Sequence, residues 1–184
     1  MVICVTGKIG SGKSEASRII SRMTGYEIVN VDEIGHEVLK LDDVKERIKK
    51  EFGEEIFSGG EIDRRKLGKI VFKDEKKLRK LEEIVHPVMR EIVKDRVKNL
   101  KNAVVDCALL ERMDLVEICD IVITLISSYE TALRRKRIDE ERFRSIWNSQ
   151  KDIRMIGVVI ENEGSLEDLE RKLREVLGIE ERAR

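Results

Sequence analysis

The sequence predicts an α/β fold in which a five-stranded parallel sheet is flanked by helices. Five short runs are rich in β-branched residues and do not alternate with polar residues, at 2–6, 26–32, 103–107, 120–126 and 158–161. Continuous apolar strands are typical of parallel sheets covered on both faces. Segments with helical spacing lie between the runs, at 14–23, 44–52, 88–100, 129–138 and 166–177. This alternation favours the α/β class.

Length and composition narrow the class of protein. A chain of 184 residues is suited to a single domain, 1–184. Its 37 basic and 37 acidic residues cancel, so no overall field would attract nucleic acid or an anionic membrane. Charged residues make up 40% of the chain and aromatic residues 4%, which resembles proteins held together at high temperature by surface ion pairs. We therefore expect a thermophilic source.

The cysteines and the apolar runs indicate where the protein resides. Cys4, Cys107 and Cys119 occur singly in apolar stretches and form no C-x-x-C pair. We expect buried, reduced thiols and a cytoplasmic protein. No segment approaches the roughly 20 apolar residues that cross a bilayer, so no membrane partner is expected.

The first strand run leads directly into a glycine-rich motif. Residues 7–14 read GKIGSGKS, which matches G-x-x-x-x-G-K-[ST] between a strand and a helix. Glycines let backbone N–H groups surround phosphate oxygens, Lys13 reaches the outer phosphates, and Ser14 is suited to Mg²⁺. The motif predicts a site for ATP or GTP, whereas a dinucleotide site would require glycine in place of Glu15. The residues expected to bind the nucleotide here are Gly7, Lys8, Ile9, Gly10, Ser11, Gly12, Lys13, Ser14 and Glu15.

Two carboxylates close the second and third strand runs. The carboxyl ends of parallel strands meet at one edge of an open sheet, where ligands collect. Asp32 is the candidate for accepting a proton from a substrate, and its alternative role is to cap the following helix. Asp106 is expected to hold Mg²⁺ together with Ser14, with a capping role as the alternative.

About seventy residues separate the second and third strand runs, more than one crossover helix requires. They contain the turn at 58–60 and the only proline, Pro87, where we expect His86 to start a helix. We predict a core at 1–39 and 101–184 with a helical insertion at 40–100. Residues 180–184 are expected to form a frayed end.

From its first strand to its last, the chain resembles the dephospho-coenzyme A kinase family of the P-loop kinase superfamily. The matching stretches are 5–14, 29–32, 52–53, 62–64, Leu67, 71–72, 81–82, 86–87, 105–106, 109–110, Gln150 and 160–164. The resemblance implies transfer of the γ-phosphoryl group of ATP to the ribose 3′-hydroxyl of dephospho-coenzyme A, with Mg²⁺. It also implies that the helical insertion binds the acceptor and that a short lid covers ATP.

The resemblance assigns several roles. Asp32 matches the second aspartate of the family's D-x-D motif and is implied to be the base. Arg134, Arg135 and Arg137 lie in the implied lid at 134–150 and are expected to contact phosphate, although a solvated basic helix face is the alternative. Asn162 matches the turn near adenine, and that turn can also be purely structural. We expect a monomer or a small homo-oligomer.

Some residues depart from the family pattern. Lys8 replaces a glycine, Glu15 a threonine, Asn30 an aspartate and Ala108 a proline, and the lid is a few residues short. Asn30 cannot act as a base, which leaves that role to Asp32. A kinase for another small hydroxyl acceptor and an inactive nucleotide-binding module therefore remain as alternatives.

Overall fold

The computed structural model describes residues 1–180, so the expected frayed end at 180–184 lies almost wholly outside the described residues. Five strands form one parallel sheet in the order β2-β5-β1-β6-β7, and β3 pairs with β4 in a separate hairpin. This confirms the predicted five-stranded parallel sheet. The strands are β1 (Val2–Thr6), β2 (Glu27–Asn30), β3 (Phe57–Ser58), β4 (Glu61–Ile62), β5 (Ala103–Asp106), β6 (Ile121–Ile126) and β7 (Val158–Glu161).

The helices connect these strands on both faces of the sheet. They are α1 (Lys13–Thr24), α2 (Val31–Val38), α3 (Asp42–Phe52), α4 (Arg64–Val71), α5 (Glu75–Leu100), α6 (Tyr129–Arg135), α7 (Glu140–Ser149) and α8 (Leu166–Leu177). The second strand ends at Asn30, two residues before the predicted end. The Asn30 side chain accepts hydrogen bonds from the backbone N–H groups of Asp32 and Glu33, at 3.0 and 3.2 Å, and so starts α2. Asn30, not Asp32, is therefore the helix cap.

Two apolar cores lie on opposite faces of the sheet, because successive side chains of β1 point in opposite directions. Val2 and Cys4 face the core that also contains residues of α2 to α5. Ile3 and Val5 face the core formed with α1 and α8. The outer strand β7 departs from the prediction of strands covered on both faces, since three of its four residues are exposed.

The segment 40–100 shares the first of these cores. Helix α5 packs against α2, α3, α4 and β2, so the segment does not fold around a core of its own. The prediction that a helix starts at His86–Pro87 is wrong, because Pro87 lies inside the 26-residue helix α5. The true start is at Asp74, whose side chain accepts from Lys76 N and Lys77 N.

The prediction of reduced thiols is wrong for two of the three cysteines. Cys4 and Cys119 form a disulfide with a Cα–Cα distance of 5.8 Å, because Cys119 lies just before β6, the strand next to Cys4 in the sheet. Sequence spacing could not show this proximity, since the two residues are 115 positions apart. Cys107 is a buried free thiol, as predicted, and burial raises its pKa to about 12. Among residues 1–180, no helix is long and apolar enough to cross a membrane.

Candidate active site

The glycine-rich loop lies between β1 and α1. Three of its glycines have φ values that L side chains rarely adopt: 141° at Gly7, 77° at Gly10 and 98° at Gly12. A Cβ atom at these positions would overlap the carbonyl of Leu125, the carbonyl of Ala132 and the Asn162 amide, in that order. The loop therefore requires glycine both for its backbone conformation and for its close packing.

The amino end of α1 is suited to binding an anion. Its N-cap is Gly12, which has no side chain to accept from the first-turn N–H groups. The amides at 13–15 thus remain available to phosphate oxygens, and the helix dipole adds partial positive charge there. Glu15, in the same turn, forms an ion pair with Arg18. Its carboxylate is thus paired along the helix rather than left unpaired at the phosphate site.

Asp32 and Asp106 lie beside this loop. In the sheet, Asp106 is opposite Val5 of β1 on one side and Asn30 of β2 on the other. Only 5% of Asp106 is exposed, and this burial raises its pKa. The Lys13 ammonium and the Ser14 hydroxyl lower the pKa, and the Asp32 carboxylate raises it. The structure thus brings together Lys13, Ser14, Asp32 and Asp106, four of the residues that the sequence singled out for the chemistry.

Ser14 and Asp106 offer oxygen donors of the kind that Mg²⁺ prefers. Within the described part of the chain, no group of three or more His, Cys, Asp or Glu residues could hold a metal ion. A hydroxyl and one carboxylate match the usual Mg²⁺ site of phosphoryl-transfer enzymes, where substrate phosphates and water supply the other ligands. The donor set therefore fits Mg²⁺ bound together with a nucleotide.

The lid segment contacts the loop through a helix that local sequence did not single out. The backbone N–H of Ile9 donates to Oε1 of Gln150 at 2.7 Å, and Gln150 is 8% exposed. The Lys8 ammonium lies 4.7 Å from the ring centre of Trp147 on α7. Trp147 in turn stacks on Phe143 and meets the edge of Tyr129. Two successive loop residues are thus held by the carboxyl end of the lid.

The lid arginines differ in their positions. The Arg135 guanidinium lies 4.0 Å from the point where a Cβ of Gly12 would be, which places it over the loop. Arg134 instead donates to the Thr131 hydroxyl at 3.1 Å. Arg137 is exposed just beyond α6. Lys136, which sequence reasoning missed, lies close enough to Asp106 to lower its pKa.

The turn after β7 contacts the glycine-rich loop. Asn162 is buried, and its side-chain N–H donates to the Ser11 carbonyl at 2.9 Å. The Glu163 carboxylate accepts from Thr131 Oγ1 at 2.6 Å and from Ser128 N, and these bonds lower its pKa. Ser165 caps α8 by accepting from Asp168 N. The turn thus has structural contacts, and its bond to the Ser11 carbonyl also holds the nucleotide loop.

Comparisons of the sequence with known proteins identify relatives along most of the chain. Residues 1–168 match the model of the dephospho-CoA kinase family. Dephospho-CoA kinase of Fusobacterium nucleatum is 34% identical over 184 aligned positions, which cover 94% of this chain and 95% of the relative. The corresponding protein of Aquifex aeolicus is 33% identical over 186 positions, covering 95% and 94%.

Solved structures show the same architecture. The crystal structure of TT1252 from Thermus thermophilus has a TM-score of 0.75 at 29% identity and covers 97% of this chain and 96% of its own. Dephospho-CoA kinase from Campylobacter jejuni, at 22% identity, has a TM-score of 0.66 with coverage of 96% and 95%, and it supports the fold alone. On its sequence and its fold, the chain belongs to the dephospho-coenzyme A kinase family of P-loop kinases.

Proposed function

We propose that this enzyme transfers the γ-phosphoryl group of ATP to the ribose 3′-hydroxyl of dephospho-coenzyme A, giving coenzyme A and ADP. The observation that carries the proposal is the placement of Asp32 and Asp106 beside the phosphate loop, at the carboxyl edge of the sheet. A triphosphate cradle, a carboxylate for a metal and a base for an alcohol are what this transfer requires. Membership of the family supplies the identity of the acceptor.

Asp32 is the proposed base. A secondary alcohol is a weak nucleophile, so a carboxylate must orient it and accept its proton. Asp32 is exposed in the first turn of α2 and is therefore accessible to an acceptor. The cap made by Asn30 fixes the backbone at Asp32, which keeps the carboxylate at the edge of the sheet.

Lys13 and the loop amides are the proposed ligands of the triphosphate. The loop residues in this role are Gly7, Lys8, Ile9, Gly10, Ser11, Gly12, Lys13, Ser14 and Glu15. The position of Arg135 above Gly12 supports a contact with the transferred phosphoryl group, and we assign Arg137 to the closed lid. Asn162 supports the nucleotide site by holding the Ser11 carbonyl.

Ser14 and Asp106 are the residues proposed to hold Mg²⁺. When bound, the ion would neutralise charge on the phosphoryl oxygens. The Lys13 ammonium acts on the Asp106 carboxylate and would share that task.

We divide the chain into a core at 1–39 and 101–184, an insertion at 40–100 and a lid at 134–150. The acceptor is assigned to the space between the insertion and the lid. A cleft of about 350 Å³ opens there between α4 and α7. Its lining residues include four cations and one ring: Arg65, Lys69, Lys73, Arg142 and Phe72. The lining also includes two carboxylates, Asp139 and Glu141, the second of which pairs with Lys73 at 3.0 Å. The other three cations support binding of a pyrophosphate and the ring that of an apolar arm.

We further propose that the enzyme works in the cytoplasm as a monomer or small homo-oligomer, on small-molecule substrates without nucleic acid or membrane partners. The equal numbers of acidic and basic residues support the absence of nucleic-acid and membrane partners, because they give no net field. A thermophilic source would reconcile a disulfide with the cytoplasm, since intracellular disulfides persist in hyperthermophiles.

The decisive experiment is ADP release from Mg²⁺-ATP with and without dephospho-coenzyme A. Nucleosides, nucleoside monophosphates and water alone serve as competing acceptors. We expect stoichiometric formation of coenzyme A with the named acceptor only. Faster turnover with a nucleoside would indicate the alternative small-acceptor kinase. ATP binding without any acceptor-dependent turnover would indicate the inactive nucleotide-binding module.

A further inference from the structure

A cluster of four charged side chains lies outside the candidate active site. It consists of Arg79, Glu82, Arg112 and Asp152, and we call it the ion cluster. Its members come from three segments: α5, the loop after β5, and the chain just after α7. The two arginines and two carboxylates balance in charge. The cluster therefore joins the insertion, the core and the end of the lid.

Arg112 is the centre of the ion cluster. Its Nη1 atom donates to Glu82 at 2.9 Å, and its Nε and Nη2 atoms both donate to Asp152. The side chains of Arg112 and Glu82 are only 12% and 10% exposed. The guanidinium pairs in bidentate fashion with Asp152, whose side chain is 44% exposed, and through one hydrogen bond with the buried Glu82. A lysine could not reproduce this planar fork.

One further bond links Arg112 to the nucleotide loop. Its Nη2 atom donates to the carbonyl of Ser149 at 2.5 Å. Ser149 ends α7, and the next residue is Gln150, whose side chain accepts the Ile9 N–H at 2.7 Å. The path from Arg112 to the loop therefore consists of two hydrogen bonds and one peptide unit.

We propose that Arg112 is a positioning residue for ATP, which it serves by holding the Ser149–Gln150 corner so that Gln150 binds the Ile9 N–H. The Arg112 side chain donates to Glu82, Asp152 and the Ser149 carbonyl, so it acts on the loop through the neighbouring Gln150. Gln150 fixes the backbone orientation at Ile9, next to Gly10 and the amides assigned to phosphate. The inference rests on the proposed use of the loop for ATP.

The test is a double-mutant cycle on the whole enzyme, read as the dissociation constant of ATP without acceptor. Gln150→Met and Arg112→Met should each weaken ATP binding about fivefold to tenfold, the range expected for one net hydrogen bond. The double variant should bind no more weakly than either single one, because both changes release the same contact. Arg90→Met, which breaks the exposed pair with Asp114, is the matched control and should leave ATP affinity unchanged.

The only tryptophan provides a second readout, since Trp147 lies one helical turn before Gln150. In Arg112→Met, acrylamide should quench the fluorescence of Trp147 more strongly than in the wild type. In Arg90→Met, quenching should equal that of the wild type. The proposal is overturned if Arg112→Met lowers only the melting temperature, leaving ATP affinity and quenching at wild-type values. It is also overturned if the two losses multiply in the double variant. Because neither readout needs turnover, inactivity toward dephospho-coenzyme A would refute the proposed function without deciding this inference.

Discussion

At the scale of single residues, Asp32 provides the clearest test of chemistry separated from binding. Asp32→Asn should lower turnover by roughly 10²- to 10⁴-fold, since the amide accepts no proton, while ATP affinity stays near wild type. The measurement is steady-state coenzyme A formation alongside equilibrium ATP binding. The control is Asp43→Asn, which removes an exposed carboxylate from the first turn of α3. Turnover near wild type in Asp32→Asn would rule out Asp32 as the base.

Gly12 tests the close packing of the nucleotide loop. A Cβ there would overlap the Asn162 amide at a φ of 98°, so Gly12→Ala should displace the loop from Asn162. We expect ATP affinity to fall by at least about tenfold, which corresponds to about 1.4 kcal/mol. Gly25→Ala is a matched control, because Gly25 also has a positive φ but has open space around it.

The control separates backbone strain from collision with a neighbour. Gly25→Ala should cost about 1–2 kcal/mol of stability through its left-handed backbone and leave ATP affinity intact. Isothermal titration with ATP and urea unfolding of both variants provide the comparison. Equal ATP affinity in the two variants would show that the contact between Gly12 and Asn162 has no part in nucleotide binding.

At the scale of elements, predictability depended on whether local residues alone determine an element. The bounds of β1, β7 and α8 agree with the predicted 2–6, 158–161 and 166–177, because each is a continuous apolar or strictly periodic run. The first half of α5 was missed, since its surface is densely charged and Pro87 resembles a break. That half is stabilised by tertiary packing of Leu78, Ile84 and Val85 against the first core.

His86 on α5 makes the stability of the fold depend on pH. Burial lowers the pKa of His86 from 6.5, and the charges of Arg112 and Arg79 lower it further, while Glu82 and a backbone hydrogen bond with Arg112 oppose the shift. Below about pH 6.5 the unfolded chain therefore binds more protons at His86 than the native state does. The stability from a neutral His86 is complete above that pH and declines as the pH falls below it.

Urea unfolding between pH 7.5 and 5.5 should show this decline in the wild type and a shallower one in His86→Gln. His36→Gln is the control, because burial also lowers the pKa of the other histidine but its side chain is largely exposed. We expect the smaller change of slope in His36→Gln. An unaltered slope in His86→Gln would contradict the role given to its burial.

At the scale of the whole molecule, the disulfide joins two parts of the chain that are 115 residues apart. Cys119→Ser should lower the free energy of unfolding by about 2–4 kcal/mol, since the unfolded chain regains the freedom of a long loop. Coenzyme A formation at 25 °C should change little, because Cys119 lies at the end of the sheet opposite the nucleotide loop.

Reduction of the disulfide in the wild type provides a second test, because it removes the same bond as Cys119→Ser. Dithiothreitol should bring the melting temperature of the wild type down to that of Cys119→Ser and leave the variant unchanged. If the wild type and the variant melt together without reductant, the disulfide does not stabilise the fold.

The site as a whole was only partly predictable, because several of its contacts join residues that are far apart in the sequence. The motif at 7–14 is contiguous, so its residues and their strand–helix setting follow from the sequence. The bond between Ile9 and Gln150 spans 141 positions and that between Arg112 and Asp152 spans 40, and no periodic pattern encodes either. Hydrophobic periodicity reports burial, whereas polar contacts of this kind depend on the completed fold.

The strand order also constrains how the chain folds during synthesis. β1 emerges first, yet its two neighbours are β5 and β6, whose first residues are Ala103 and Ile121. Because such pairings join remote positions, they form slowly. At about 5–20 residues per second, a ribosome needs several seconds to deliver both partners. During that time the apolar strand that leads into the ATP loop has unpaired edges, which are exposed to pairing with other chains.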